Sequence, residues 1–489
     1  MLRSALLILS GNAAASLLLL ARNLIVARMI PVADYGISST FALVMSVVEM
    51  ASALGLQQQI VQAKEGDDPH FQAVLQGFQV LRGGLSGLAL LVIAHPMAVL
   101  VGVPVGDIPH VVWAYRLLAV VPVLNALVHF DIHRLNRSMI FWPMLLTGAV
   151  PALISVLSLW PLAQGFGDWR VMLYAILVQA VLAPVVSHLV AGRPYRLAFD
   201  AAIMARSLRF GWPLLAEAVL LFLVFQGDKL VVGQLLGMAP LAIFSMGMTL
   251  TLTPTLVLSK SATNLFLPLL SAADDAPRFA TLANVVFELH ILFGGCLVFG
   301  VMALGPWAVQ VVLGAKYASL ASILIWLAVM QGIRIFKGGT STVALARGQT
   351  ENAVVGNIAR IAVLPIAWVA VQRSGDLMAL LYLGIAGEAL GAAVAFWLVW
   401  WRLGLGFGRL TPMLLATLAV MGLALIGQVW PGALWPQSVW PQSVWPQSVW
   451  PQSVWPLTGA GVALALAAFL SRDLRQFSLR PRHRVEGQR

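Results

Sequence analysis

Apolar runs of about 18–25 residues, separated by short polar stretches, recur along the whole chain. Each is long enough to carry a helix through a hydrocarbon core of about 30 Å. The pattern predicts about fourteen spans, near residues 5–30, 37–57, 73–101, 111–129, 142–160, 170–191, 210–236, 242–262, 282–304, 319–344, 353–371, 377–401, 411–430 and 457–470. The third begins amphipathically, with Gln72, Gln76 and Gln79 leading to Arg82. Connections are short, so neighbouring spans are expected to run antiparallel. The N-terminus places one Arg before an apolar run, as a signal peptide does. The helical pattern continues to Met29 without a convincing cleavage site, and an uncleaved first span is expected. The expected class is an all-α polytopic membrane protein.

Composition agrees and narrows the classes. Of 489 residues, 60% are hydrophobic and 10% charged, and the mean hydropathy is +0.89. That excludes an ordinary soluble globular domain. No polar stretch is long enough to hold one between the spans. The single cysteine, Cys296, excludes an intramolecular disulfide. There is no nucleotide-binding loop, no metal-ligand cluster and no nucleophile elbow, so neither an enzyme nor a metal or other cofactor is expected.

Lys and Arg set the orientation. With the N-terminus inside, nineteen of the thirty fall in inner segments. Four fall in outer ones: Arg28, Arg170, Lys316 and Arg373. The net charge of +11 is therefore mostly topology. The basic tail after Leu470 is read as a patch facing anionic lipid, with no nucleic acid partner.

Five basic side chains lie inside the apolar runs themselves: Arg22, Arg82, Arg116, Lys229 and Arg360. Each costs about 2.5–3.5 kcal/mol at a helix centre on insertion scales. Their number points to a water-filled, cationic cavity and an anionic cargo, such as a lipid-linked phosphate or pyrophosphate. Arg22, Arg116 and Arg360 are the leading cargo ligands, with Lys229 beside them; structural ion pairs and snorkelling are the competing reading for each. Lys229 follows Asp228, which offsets its charge locally. Arg82, and Arg334 and Lys337 in the inner half of the tenth span, are read as reaching the inner interface. The embedded acids Glu49, Glu217, Asp228, Glu288 and Glu388 are candidates for gating or for coupling to an H⁺ or Na⁺ gradient. His290 reads as a satisfied core histidine. Pro122, Pro143, Pro213, Pro254 and Pro365 lie in or near spans, where proline can kink a helix.

Two repeats are visible. Trp–Pro steps recur every five residues over 430–456, with middle copies reading Trp-Pro-Gln-Ser-Val. Proline at that period forbids a regular helix, and the segment is read as a dispensable outer loop. An older repeat sets Asn23-Leu24-Ile25-Val26-Ala27-Arg28-Met29-Ile30 against Lys229-Leu230-Val231-Val232-Gly233-Gln234-Leu235-Leu236, an offset of 206. It makes spans one and seven equivalent, in parallel halves. It also sets Arg22 opposite Asp228, which predicts that the two pair when the outer side is closed.

Several stretches carry a family resemblance. Ala27-Arg28-Met29-Ile30-Pro31 with Asp34-Tyr35-Gly36 resembles the N-terminal signature of the Wzx-type polysaccharide biosynthesis proteins. These are the oligosaccharide flippases of the multidrug/oligosaccharidyl-lipid/polysaccharide (MOP) superfamily. Asp228-Lys229-Leu230-Val231-Val232-Gly233 resembles the start of their second half. Phe266-Leu267-Pro268-Leu269-Leu270-Ser271, then Asp274, Asp275 and Arg278, looks like their segment after span eight, and Ala346-Arg347-Gly348-Gln349 with Asn352 like their loop after span ten. The resemblance covers about residues 1–405, and the Trp–Pro repeat departs from it.

The resemblance implies two pseudo-symmetric six-helix bundles around a central cavity, plus two C-terminal helices. The corresponding boundaries are 1–192 for the first lobe, 193–209 for a cytoplasmic linker, 210–402 for the second lobe, 403–470 for the two extra helices and 471–489 for a basic cytoplasmic tail. It implies a bacterial inner-membrane flippase with both termini cytoplasmic. The cargo would be a polyprenyl-pyrophosphate-linked oligosaccharide, moved by alternating access for O-antigen, capsule or exopolysaccharide synthesis. The partners would be membrane lipids, a polysaccharide polymerase and a chain-length regulator. A lipid II flippase, a multidrug exporter of the same superfamily and a membrane polysaccharide polymerase are the alternatives. A polymerase fits less well, because the longest outer loop carries no charge. An exporter of cationic drugs would favour an acidic cavity.

Overall fold

The computed structural model describes residues 2–51, 54–138, 140–273, 275–349, 351–429, 454–471 and 473–474. Most of the Trp–Pro repeat, Asp274, the basic tail and the side chain of Glu217 lie outside the described residues. Every regular element among the described residues is helical. In order these are α1 (Leu2–Met29), α2 (Val32–Ala51), α3 (Leu56–Gln62), α4 (Pro69–Leu100), α5 (Ile108–Leu118), α6 (Val120–Ala126), α7 (Asp131–Arg137), α8 (Trp142–Leu157), α9 (Leu159–Gly165) and α10 (Arg170–Val190). Then follow α11 (Ala201–Leu236), α12 (Met238–Ser271), α13 (Ala276–Ala308), a π turn (Val309–Leu313), a 3₁₀ turn (Ala315–Tyr317), α14 (Leu320–Ala346), α15 (Glu351–Ile361), α16 (Leu364–Ser374), α17 (Leu377–Leu403), α18 (Thr411–Val429) and α19 (Val454–Leu470).

The all-α, multi-pass architecture expected from the sequence is present. Eleven helical segments among the described residues are long and apolar enough to cross a membrane, and two shorter apolar helical stretches, Thr411–Ile426 and Thr458–Leu470, follow them. The expected count of fourteen is therefore not reached by length and composition alone. Three expected spans are broken. α8 gives way to α9 at Ser158, where Pro161 has no N–H to offer the Leu157 carbonyl. α5 gives way to α6 at Ala119 because Pro122 has no N–H to offer the Leu118 carbonyl. α15 gives way to α16 because Pro365 cannot bond back to Ile361. Pro143 instead sits in the first turn of α8, where a missing N–H costs nothing, and Pro254 lies inside α12. Two starts are set by carboxylates: Asp68 accepts from the His70 and Phe71 N–H groups ahead of α4, and Asp200 accepts from those of Ala202 and Ile203 ahead of α11.

The chain divides into two compact units. The first comprises Met1–Thr253, Ala308–Ile323 and Asn357–Gly387. In it α8 packs on α1 and α10, and α4 on α5 and α6. Buried Phe41 meets Tyr115 and Trp169 edge-on, and the Tyr115 hydroxyl donates to Thr40 at 2.7 Å. The end of α1 is bound to the 309–317 segment by two reciprocal contacts. The Arg28 guanidinium donates to the Val311 and Val312 carbonyls at 2.7 and 2.8 Å, and the Lys316 ammonium donates to the Arg28 and Ile30 carbonyls at 2.9 and 2.5 Å. Each cation thus satisfies carbonyls that a helix end leaves without a partner. The two matched repeat stretches hold like positions: Asn23–Ile30 closes α1 and Lys229–Leu236 closes α11, and a new helix begins within two residues of each. At Gly102, φ is +80° and a β-carbon would lie 2.3 Å from the Gly233 carbonyl oxygen, so the turn after α4 touches the end of α11 only as glycine.

The second unit comprises Pro254–Trp307, Leu324–Gly356 and Glu388–Arg489. α14 is its most buried helix. α13 and α14 approach closely at Gly294, where a β-carbon would lie 2.9 Å from the Gly332 carbonyl oxygen, a small-residue contact typical of membrane helices. Phe287, Phe396 and Phe407 form an aromatic cluster, and the Arg347 guanidinium lies 4.0 Å from the Phe279 ring.

Candidate functional site

In the first unit, α1 carries Arg22 half-buried against α8 and α10. Its guanidinium donates to the Gln179 side-chain oxygen at 2.6 Å and approaches the Ser155 hydroxyl at 3.4 Å. Both partners are neutral. Its Nε has no partner among the described residues. Arg22 is therefore positioned by hydrogen bonds while its charge stays available to an anion.

Asp228 and Arg360 form a buried ion pair between α11 and α15, with Nη2 to Oδ2 at 2.5 Å. Their side chains are 4% and 2% exposed. The sequence alignment sets Arg22 against Asp228, and the structure does not bring them together: Arg360 holds the carboxylate and Gln179 holds Arg22. The second carboxylate oxygen, Oδ1, is buried without a partner. Lys229, the next residue, is half-buried and makes no hydrogen bond or ion pair among the described residues. Successive helix positions point about 100° apart, so Lys229 does not share the face of α11 on which Asp228 meets Arg360. Arg116 on α5 is exposed, also without a partner among the described residues.

A cavity of about 560 Å³ opens within the first unit between α2, α3, α4, α6, α7 and α8. Glu49 and Arg82 line it and interact electrostatically. Gln57, Gln58, Gln79, Ser86, Asn125, His133 and Thr147 line it too, a wall rich in amide and hydroxyl groups suited to polar, hydroxylated matter. Arg82 thus faces a cavity rather than only an interface. Glu217 is on α11, with its side chain outside the described residues.

The embedded acids of the second unit are engaged in structure. Glu388, fully buried on α17, accepts from Arg334 Nε at 3.0 Å, from Arg334 Nη2 and from Lys337 Nζ at 3.3 Å. Gln331 accepts from the same arginine at 3.2 Å. Arg334 and Lys337 are therefore buried partners of a carboxylate, which corrects their reading as groups reaching the inner interface. Glu288 on α13 accepts the backbone N–H groups of Asp473 and Leu474 at 3.4 and 2.8 Å. His290 Nδ1 lies 2.7 Å from the Val286 carbonyl, as a core histidine would. Gln179 was missed as a site residue from sequence. Its signal was present: it is the single amide within the apolar run 170–190.

A family model described as polysaccharide biosynthesis protein matches residues 25–322. No curated protein sequence matches the chain. Among solved structures, the lipid II flippase MurJ in an inward closed conformation is similar at TM-score 0.69 and 14% identity, covering 96% of this chain and 99% of that one. An inward-facing multidrug resistance MATE family transporter of the MOP superfamily is similar at TM-score 0.62 and 15% identity, covering 80% and 94%. A MOP superfamily transporter from Pyrococcus furiosus, described by the reversed polarity of its binding pocket, is similar at 0.57 and 15%, covering 82% and 95%. At these identities the likeness is one of fold.

Proposed function

We propose, from the premise that this chain belongs to the polysaccharide biosynthesis protein family, that it is a flippase for a polyprenyl-pyrophosphate-linked oligosaccharide. The observation that carries this reading is Arg22: a membrane-embedded cation held by neutral Gln179 and Ser155 and offset by neither. Membrane proteins retain such a charge, at its insertion cost, where something anionic comes to meet it. A pyrophosphate suits a guanidinium fork, and Arg116 and Lys229 add cations of the same kind. The amide-lined cavity beside Glu49 and Arg82 suits the sugar, and the polyprenyl tail stays in lipid.

Asp228 and Arg360 act as a latch in this scheme. The pair is closed in the structure, and the partnerless Oδ1 is the place for a proton or Na⁺ to compete with Arg360. Glu49 and Glu217 are further candidates for such coupling. Glu288 and Glu388, engaged as they are, serve in this scheme as structural groups. The protein would lie in the bacterial inner membrane with both termini cytoplasmic. There it would supply a polymerase and a chain-length regulator, and the transport itself needs no cofactor.

The test is made in a host deleted for its own flippase. Expression of the chain is expected to restore surface polysaccharide. Arg22→Ala is expected to reduce it at least about ten-fold, the effect of losing one charge-assisted contact, at unchanged membrane levels. Full export by Arg22→Ala would remove Arg22 as the anion ligand. Growth rescue of a strain lacking its lipid II flippase, without any polysaccharide export, would reassign the cargo.

A further inference from the structure

At one end of the first unit, a second pocket of about 230 Å³ lies between the N-terminal turns of α4, the loop at His129 and the 191–200 segment. It is lined by His129, Arg193, Arg196, Gln72 and Gln76. Arg196 is exposed and makes no contact with an acid among the described residues. Arg193 is fixed from behind: Nη1 donates to Gln72 Oε1 and Nη2 to the Asp67 carbonyl, each at 3.0 Å. A guanidinium has five donors, so most of those of Arg193 remain for a ligand.

His129 is the telling residue. Its side chain is buried, at 2% exposure. Burial lowers its basicity, while Asp131 and the Arg193 backbone carbonyl oppose this in part. The ring is therefore neutral near pH 7. The Asp131 backbone N–H donates to its Nδ1 at 3.1 Å, which makes Nδ1 the acceptor and places the ring proton on Nε2. That N–H is buried, and no acceptor meets hydrogen-bond geometry there. The Arg193 carbonyl is near enough to interact with the ring but not in good hydrogen-bond geometry, so this buried donor is poorly satisfied, which is costly. The nearby carboxylate is not the missing acceptor. Asp131 is occupied by Arg134 at 2.5 Å and by the Gly192 N–H at 2.8 Å, and these bonds hold its acidity high against its burial.

We propose that His129, Arg193 and Arg196 form a phosphate-binding site, separate from the embedded cations of the transport pathway. One neutral N–H donor and two guanidinium groups match the acceptor-only oxygens of a phosphate. The phosphate comes either from an anionic lipid headgroup or from the pyrophosphate of a lipid-linked cargo, because the site lies at the N-terminal end of the α4 span, where both are within reach. The site stands on its own geometry, and its test reads no transport.

The experiment uses the full chain, purified in detergent. Thermal unfolding and isothermal titration are followed with sodium pyrophosphate, with dioctanoyl phosphatidylglycerol and with dioctanoylglycerol. The phosphate-free lipid is expected to leave the midpoint unchanged, and at least one phosphate probe to raise it. A response to phosphatidylglycerol alone assigns a headgroup; a response to pyrophosphate alone assigns the cargo. Arg196→Gln, at an exposed position that leaves folding intact, is expected to weaken binding about ten-fold, and His129→Asn by a similar factor. The proposal is overturned if neither phosphate probe stabilises the wild type, if Arg196→Gln binds as tightly as wild type, or if the phosphate-free lipid stabilises equally.

Discussion

Glu388→Gln is expected to be the most damaging single substitution in the second unit. The Glu388 carboxylate is 0% exposed and receives both Arg334 and Lys337. Neutralising it leaves two buried cations with their shared counter-charge removed. Removing one partner of a buried pair costs about 3–5 kcal/mol, and here two cations lose theirs at once. A glutamine oxygen can still accept from one of them, but without charge. The expected result is little monodisperse protein in size-exclusion chromatography and a strongly lowered midpoint in what remains. Arg334→Met is expected to be milder, because it leaves Lys337 paired with Glu388. A Glu388→Gln variant as stable as wild type, or Arg334→Met as damaging as Glu388→Gln, would contradict the shared-carboxylate reading.

Asp228→Asn is the second large effect. It leaves Arg360, 1% exposed, without its carboxylate. A loss of about 3–5 kcal/mol is expected for breaking such a pair from one side. The double variant Asp228→Asn/Arg360→Met removes both charges and is expected to recover much of the stability, because an apolar side chain of similar length needs no counter-ion. The cycle is read by thermal unfolding of purified protein. Additive losses would mean that the pair contributes no coupling. Transport separates the two roles of this pair. The stable double variant is expected to translocate poorly if the pair is a latch, and normally if it is only a fold contact.

The helical, membrane-spanning organisation was legible because length and hydropathy are set by the bilayer itself. Elements outside that constraint were not. α3 and α7 are seven residues each, too short and too mixed for periodicity to show. The breaks before Pro122 and Pro365 follow from missing N–H groups, but a proline such as Pro254 is tolerated within a helix, so sequence does not say which proline will break one. The embedded charges were legible one by one, because each stands against an apolar background. Their partners were not. Asp228 and Arg360 are 132 positions apart and meet only through helix packing. Arg22 was set against Asp228 by a repeat alignment, which relates equivalent positions and says nothing of contact. Glu288 reads from sequence as a coupling acid, yet it caps a backbone turn 185 residues away. The pocket around His129 has no periodic signature, since its residues come from two loops and α4.

The central claim is translocation of a pyrophosphate-linked glycolipid, and reconstitution tests it most directly. The purified chain is placed in liposomes that carry a fluorescently labelled polyprenyl-pyrophosphate oligosaccharide, and dithionite reports the fraction in the outer leaflet over time, with and without H⁺ or Na⁺ gradients. The account predicts protein-dependent exchange that Arg22→Ala slows by at least about ten-fold, one charge-assisted contact, with no exchange of a labelled neutral lipid. Exchange no faster than in protein-free liposomes, under every gradient, would contradict it.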